Sequence, residues 1–268
     1  MRISFTKAHG AKNDFLLSWD SEAPREGLEA AARAICDRHT GIGADGWLLV
    51  KLGAEESGWD AEIRLFNADG SPAEISGNGT RCAAAFLVEP GLARSPVRLR
   101  TSAGVRELRL VSRKGLRFQF EMDMGRPTWR PEGIRFALPL RDGPREVTLL
   151  NAGNPQCAVF VEDFGFDWAA LGAEIESHPH FPDRTNVSFV RVVDRHTLEV
   201  RFYERGAGVT LSSGTGSAGA VWAAKLRGLV DSPVLVETPG GALDVRWEQN
   251  IWLTGPAEIV GRGEFYYD

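Results

Sequence analysis

Residues 64–86 run Arg64-Leu-Phe-Asn-Ala-Asp-Gly70 and then Ile75-Ser-Gly-Asn-Gly-Thr-Arg-Cys-Ala-Ala-Ala-Phe86. Residues 201–223 run Arg201-Phe-Tyr-Glu-Arg-Gly-Ala207 and then Ser212-Ser-Gly-Thr-Gly-Ser-Ala-Gly-Ala-Val-Trp-Ala223. Without a gap, Arg64 aligns with Arg201, Phe66 with Tyr203, Asn67 with Glu204, Ser76 with Ser213, Gly77 with Gly214 and Gly79 with Gly216. The constant separation of 137 residues is close to half of the 268-residue chain. Two Gly-rich loops can agree by chance, but chance does not extend the match from a strand through a loop into a helix. A weaker pair, Gly10-Ala-Lys-Asn13 with Asn151-Ala-Gly-Asn154, points the same way. The chain reads as one plan used twice.

Each copy begins with alternating apolar and polar residues (61–66 and 198–203), the period of a half-buried strand. A Gly-containing turn follows, and Ser-Gly-x-Gly opens an Ala-rich segment of helical composition. Working outward, the pattern predicts helices over about 27–38, 79–88, 168–177 and 216–227. Strands are expected at 2–7, 15–19, 47–51, 97–101, 104–111, 117–123, 145–150, 157–162, 187–193, 233–237, 243–247, 251–253 and 258–265. Many strands and few, irregularly placed helices point to an α+β fold rather than a doubly wound one. Lys114-Gly115 and the stretch from Pro127 to Pro131 interrupt the pattern, so the halves are expected to join between 113 and 130. The division expected is 1–118, 119–258, and a terminal strand at 259–268 returning to the first half.

Composition excludes several classes. A 43% apolar fraction without long charge runs rules out disorder. Cys36, Cys82 and Cys157 are odd in number and far apart, which argues against a disulfide scaffold, and no C-x-x-C suggests structural zinc. They read as reduced thiols of a cytoplasmic protein. Net charge is −5, with 31 Lys plus Arg interspersed among 36 Asp plus Glu, so no basic stripe exists to follow nucleic acid. The first ten residues lack the apolar core of a signal peptide, and no apolar run approaches a membrane span. The partner expected is a small molecule, with neither nucleic acid nor membrane.

Chemistry is expected at the two helix starts. Each presents unpaired backbone N–H groups and the positive end of a helix dipole, and the glycines after Ser76 and Ser213 permit close approach of an anion. A carboxylate clamped between two such starts would have Ser76 and Ser213 on opposite sides. That arrangement suits removal of a proton from one face of a carbon and its return to the other. The plainer reading is that both serines are helix N-caps.

At these residues the chain resembles the diaminopimelate epimerase family over its whole length. The matching stretches are His9–Phe15, Asp37–Asp45, Phe66–Ser71, Gly77–Cys82, Gly153–Pro155, Arg184–Asn186, Glu204–Gly208, Gly214–Gly216 and Pro239–Gly241. The resemblance implies two pseudo-symmetric domains, each a mostly antiparallel sheet wrapped around a central helix, with the active site in the cleft between them. It implies an isomerase of amino-acid (lysine) biosynthesis, commonly a homodimer, working without pyridoxal phosphate, metal or other cofactor through a pair of cysteines. By resemblance Asn13, Asn67, Asn154 and Asn186 bind the amino and carboxyl groups. Glu204 and Arg205 then meet the far end of the substrate, and Gly77, Asn78, Gly214 and Thr215 hold the carboxylate beside the reacting carbon. For any single Asn the competing use is turn chemistry.

Four positions depart from the family pattern. Ser76 and Ser213 replace the cysteines, Gln156 stands in place of a His thought to tune one thiol, and Val209 replaces a Glu. In addition, Gly46 occupies a position where the family often has Gln. A thiol ionises near pH 8.5, whereas a serine hydroxyl needs an adjacent base. The loss of that His removes the neighbour expected for Ser76, while Glu204 is expected to serve Ser213. Catalytic roles are therefore expected for Ser76, Ser213 and Glu204. Three accounts stay open: a Cys-to-Ser pair made to trap substrate, which leaves Gln156 and Val209 unexplained; a divergent isomerase using Ser and Glu; and a silent amino-acid-binding protein.

Lesser features have plain explanations. His178-Pro-His180 lacks a third ligand, so no metal is expected. Gly41–Gly46 lacks the Rossmann context and the Walker lysine of a nucleotide loop. Cys82 reads as a small core residue, although a displaced thiol role is worth testing, and the eight Trp as core filling.

Overall fold

The computed structural model describes residues 1–73, 76–102 and 104–268; Ile75 of the first repeat lies outside them. The described chain is α+β and falls into two compact units, Met1–Met122 with Gly255–Asp268, and Asp123–Thr254.

The first unit contains β1 (Arg2–Gly10), β2 (Asn13–Trp19), α1 (Leu28–Cys36), β3 (Gly46–Leu52), β4 (Ala61–Asn67), β5 (Pro72–Ala73), α2 (Gly77–Val88), β6 (Val97–Thr101), β7 (Gly104–Lys114) and the start of β8 (Arg117–Gly125). Pairing is antiparallel except for β2–β3 and β4–β6, the two places where a helix makes the crossover. α2 is buried nearly all round and touches β1, β2, β3 and β6, so the sheet wraps this helix. The amphipathic α1 covers another face, packing Ala31, Ile35 and Cys36 against Ile3, Leu16, Trp47 and Phe66.

The second unit contains β9 (Thr128–Trp129), β10 (Phe136–Leu140), β11 (Gly143–Asn151), β12 (Pro155–Phe160), α3 (Trp168–Glu176), β13 (Asn186–Asp194), β14 (Thr197–Glu204), β15 (Gly208–Thr210), α4 (Gly214–Leu226), β16 (Val234–Thr238), β17 (Gly241–Trp247) and the start of β18 (Ile251–Tyr266). The topology repeats: β12–β13 and β14–β16 are the parallel pairs, again spanned by helices. Ala61↔Leu99 corresponds to Leu198↔Val236, Leu65↔Ala73 to Phe202↔Thr210, and Val97↔Leu108 to Val234↔Val245. The separation of 137 residues seen in the sequence therefore holds for the strand registers from β4 to β7. α4 is buried along almost its whole length against Val200, Phe202, Leu243 and Val245.

Several expectations are corrected. The strands expected at 251–253 and 258–265 are one, β18. It pairs with β17 up to Thr254, with β1 from Glu258, and also with β8, so Pro256 lies within a continuous strand. β10 was not expected, because Pro139 argues against a strand; it forms an edge hairpin in which Pro139 faces Pro144. The division between the units, after Met122, lies inside β8, and Lys114-Gly115 is the β7–β8 hairpin turn. The helices expected from 79 and 216 begin two residues earlier, at Gly77 and Gly214. Among the described residues, no helix is long and apolar enough to cross a membrane.

Candidate active site

In the second unit, Ser213 is the N-cap of α4: its backbone is extended and its Oγ accepts from Gly216 N at 3.1 Å. The same hydroxyl donates to Glu204 Oε1 at 2.6 Å. The cap occupies an acceptor lone pair, which directs the single hydroxyl proton at the carboxylate. Glu204 ends β14, and its second oxygen accepts from Thr210 Oγ1 on β15 at 2.7 Å. Ser213 is only 4% exposed. Glu204 is half-buried as a residue, but its carboxyl group is enclosed by protein. That burial raises its pKa, against the lowering effect of the bonds from Ser213 and Thr210.

Around this pair, Gln156 Nε2 donates to Asn154 Oδ1 at 2.6 Å, and Asn154 Nδ2 reaches Thr215 Oγ1 at 3.4 Å. Gln156 packs so closely on α4 that a Cβ on Gly219 would lie 2.9 Å from its Cγ. Asn186 is held by Arg205 N donating to its Oδ1 (3.0 Å) and by its own donation to Pro155 O (3.0 Å). Arg205 is exposed, with Nη1 on Asp183 O. Arg184, at φ +60°, pairs with the buried Glu176 and anchors the loop entering Asn186.

In the first unit, Ser76 is likewise an N-cap, accepting from Gly79 N at 3.1 Å. The match ends there. Asn67, at the position of Glu204, bonds Ser71 Oγ at 3.0 Å, and among the described residues no hydrogen bond joins it to Ser76. Asn78 donates from Nδ2 to Asn13 Oδ1 at 3.1 Å, and Asn13 donates from Nδ2 to Asp45 Oδ2 at 2.7 Å. Asp45 and Asp14 share Arg38, and Lys7 also pairs with Asp14. Burial works against the charge of Asp14, but the bonds from Arg38 and Lys7 outweigh it and hold its carboxyl below the usual range. Asn13 follows a two-residue turn in which Ala11 and Lys12 both have positive φ, a strained conformation for side-chain-bearing residues.

Gly77 and Gly214 are the first residues of their helices, but the glycines that follow differ in their reason for being there. A Cβ on Gly216 would lie 2.8 Å from the Phe202 ring, whereas one on Gly79 meets nothing nearer than 3.3 Å. Gly216 therefore serves helix–strand packing as well as any ligand.

The remaining candidates resolve plainly. His178 bonds Pro139 O and His180 stacks on Phe136. Among the described residues, no group of three or more His, Cys, Asp or Glu is placed to hold a metal ion. Asp37 organises the 37–46 turn by accepting from His39 N, Thr40 N and Thr40 Oγ1. All three cysteines are buried, and burial pushes the Cys36 and Cys82 thiols up to about 12, so neither supplies a thiolate. Sequence reasoning missed Thr210, Arg81 and Glu176 as supports of the site; it quoted Asp45 only as the end of a motif.

The sequence profile of diaminopimelate epimerase matches residues 5–130 and 148–260. The diaminopimelate epimerase of Halothermothrix orenii is 39% identical over 279 residues, covering 98% of each chain. Diaminopimelate epimerase 1 of Nostoc sp. is 41% identical over 285 residues, covering 98% of this chain and all of its own. The chain belongs to the diaminopimelate epimerase family. Its fold also matches a hydroxyproline epimerase from Agrobacterium vitis at a TM-score of 0.69, with 17% identity, over 98% of this chain and 92% of that one. The family match runs through both helix starts, with Ser76 and Ser213 as their caps.

Proposed function

We propose that this family member is a cofactor-independent isomerase that removes and returns a proton at an amino-acid α-carbon, using Ser213 with Glu204 in place of a thiolate. The observation that carries this reading is the 2.6 Å bond from Ser213 Oγ to Glu204 Oε1. A serine hydroxyl alone is too weak a base to take an α-proton. In a relay, Oγ accepts the Cα proton while its own proton passes to Glu204, so no serine alkoxide forms. The electron pair left on carbon is stabilised by the substrate carboxylate held at the N-terminus of α4, by Gly214 and Thr215. Burial raises the basicity of Glu204, which favours the transfer. The proton returns from Glu204 through Ser213 Oγ, which accounts for exchange; protonation by Ser76 needs solvent to re-supply its hydroxyl, since among the described residues no carboxylate bonds to it, so inversion is slower than exchange.

The substrate proposed is LL- or meso-diaminopimelate or a related amino acid. Asn13, Asn67, Asn78, Asn154 and Asn186 bind its amino and carboxyl groups, and Arg205 holds a distal carboxylate with a two-pronged donor. A second reading, an amino-acid-binding protein without turnover, is favoured by one observation: Ser76 is an ordinary helix cap with no base bonded to it among the described residues. Incubation with LL-diaminopimelate in D2O, followed by proton NMR, separates the two. Loss of the α-proton signal supports the isomerase; saturable binding with an intact signal sinks it.

A further inference from the structure

α2 carries one charged residue in its buried stretch, Arg81, which is fully shielded from solvent. Its Nε donates to Pro256 O at 3.1 Å and its Nη2 donates to Asn78 Oδ1. Among the described residues its Nη1 has no hydrogen-bond partner. Burial pulls the pKa down only to about 10, so the group stays charged at neutral pH. The fold itself does not require this cation: at the matching position of α4 stands Ala218, on a helix of the same length class with the same cap.

We propose that Arg81 is a positioning residue which, with Asp45 at the far end, locks the side-chain amides of Asn78 and Asn13 into one orientation for binding substrate. The two ends of a primary amide are nearly the same size, so only hydrogen-bond partners decide which way it faces. A guanidinium can only donate, so Asn78 turns Oδ1 to it. Asn78 Nδ2 must then face Asn13, which turns Oδ1 to receive it. Asn13 Nδ2 is left for Asp45, a carboxylate that can only accept. Asp45 is fixed in turn by Arg38 Nη2 at 2.8 Å and by Asp14 N at 3.1 Å. The row runs from an obligate donor to an obligate acceptor, and reversing either amide alone places like against like at both of its contacts. Each amide keeps one N–H for a ligand oxygen. Gly10 closes the row from above: a Cβ there would lie 3.3 Å from both Arg81 Nη2 and Asn78 Cα.

The proposal rests on the reading that Asn13 and Asn78 contact substrate, and its test has one arm free of that reading. In ligand-free protein labelled with 15N-asparagine, the side-chain NH2 signals of Asn13 and Asn78 are assigned with Asn13→Asp and Asn78→Asp variants. Asp45→Asn, at an exposed position, should shift or double the Asn78 signal even though Asp45 does not touch Asn78. Arg81→Met should do the same to Asn13. An Asn78 signal unmoved by Asp45→Asn overturns the proposal, whether or not Arg81→Met folds. With LL-diaminopimelate, Arg81→Lys should raise KM about tenfold while kcat changes less than about threefold, one donor centre being unable to serve both Pro256 and Asn78. Coupled amide signals with an unchanged KM overturn the link to binding. A wild-type protein that neither binds nor turns over this substrate, with the amide signals still coupled, refutes the functional reading and leaves the row intact.

Discussion

The two helix starts share a backbone and differ in where they keep their charge. Ser213 bonds an enclosed carboxyl group, Glu204, which Thr210 also holds, and the helix it caps is flanked by the neutral amides of Asn154 and Gln156. Around Ser76 the matching places hold Asn67 and Ala73, and the charge is a buried guanidinium, Arg81, where the other unit has Ala218. On the proposed reading, the Ser213 start accepts a proton and the Ser76 start orients amides. The duplicated scaffold fixes where each serine sits, and a few substitutions at matching positions decide what each serine can do.

That contrast can be broken. Glu204→Gln keeps the shape of the side chain but removes its basicity and turns one of its two accepting oxygens into a donor. We expect α-proton exchange in D2O to fall about a thousandfold, within the span general-base removal commonly shows. Asn67→Asp, at the matching position, should lower exchange by no more than about tenfold, through weaker substrate binding rather than loss of a base. Equal losses from both variants would mean that the two starts are chemically equivalent.

The packing difference gives a smaller effect. Gly216→Ala forces a methyl against the Phe202 ring and should destabilise by about 1–3 kcal/mol in denaturant unfolding. Gly79→Ala has room, and the gain in helix propensity should hold its change within about 1 kcal/mol of zero. A reversed order would show that α2, not α4, is the tightly seated helix.

The smallest effect is on pH dependence. The pKa of Glu204 is raised in the folded protein, so its contribution to stability is fully present below its unfolded value. It is lost as pH rises through the folded value. The melting temperature of the wild type relative to Glu204→Gln should therefore fall between acid and neutral pH. Exchange activity should rise over the same interval as the carboxylate forms. A flat difference would place Glu204 in water.

Much of this was legible in the sequence because the repeat is carried by local signals. Ser-Gly-x-Gly before an Ala-rich segment marks a capped helix, and period-2 segments mark β4 and β14, so both serines were placed at helix starts. The Ser213–Glu204 pair was also legible, nine residues apart on adjacent elements. Short strands were not: β5, β9 and β15 have two or three residues, too few to show a period. Nor was the continuity of β18, because Gly255-Pro256 reads as a break until its pairing partners β17, β1 and β8 are known.

The sequence by itself determined the α+β class, the duplication, the caps and the family, since each rests on residues near one another in the chain. Tertiary structure decided the partners. Asn78 meets Asn13 across 65 residues, Asn13 meets Asp45 across 32, and Arg81 reaches Pro256 across 175. An amide or a guanidinium takes its role from whatever lies within about 3 Å of it, and spacing along the chain does not encode that. The sequence located both serines, and the long-range contacts made one the partner of a base and the other a neighbour of an oriented row of amides.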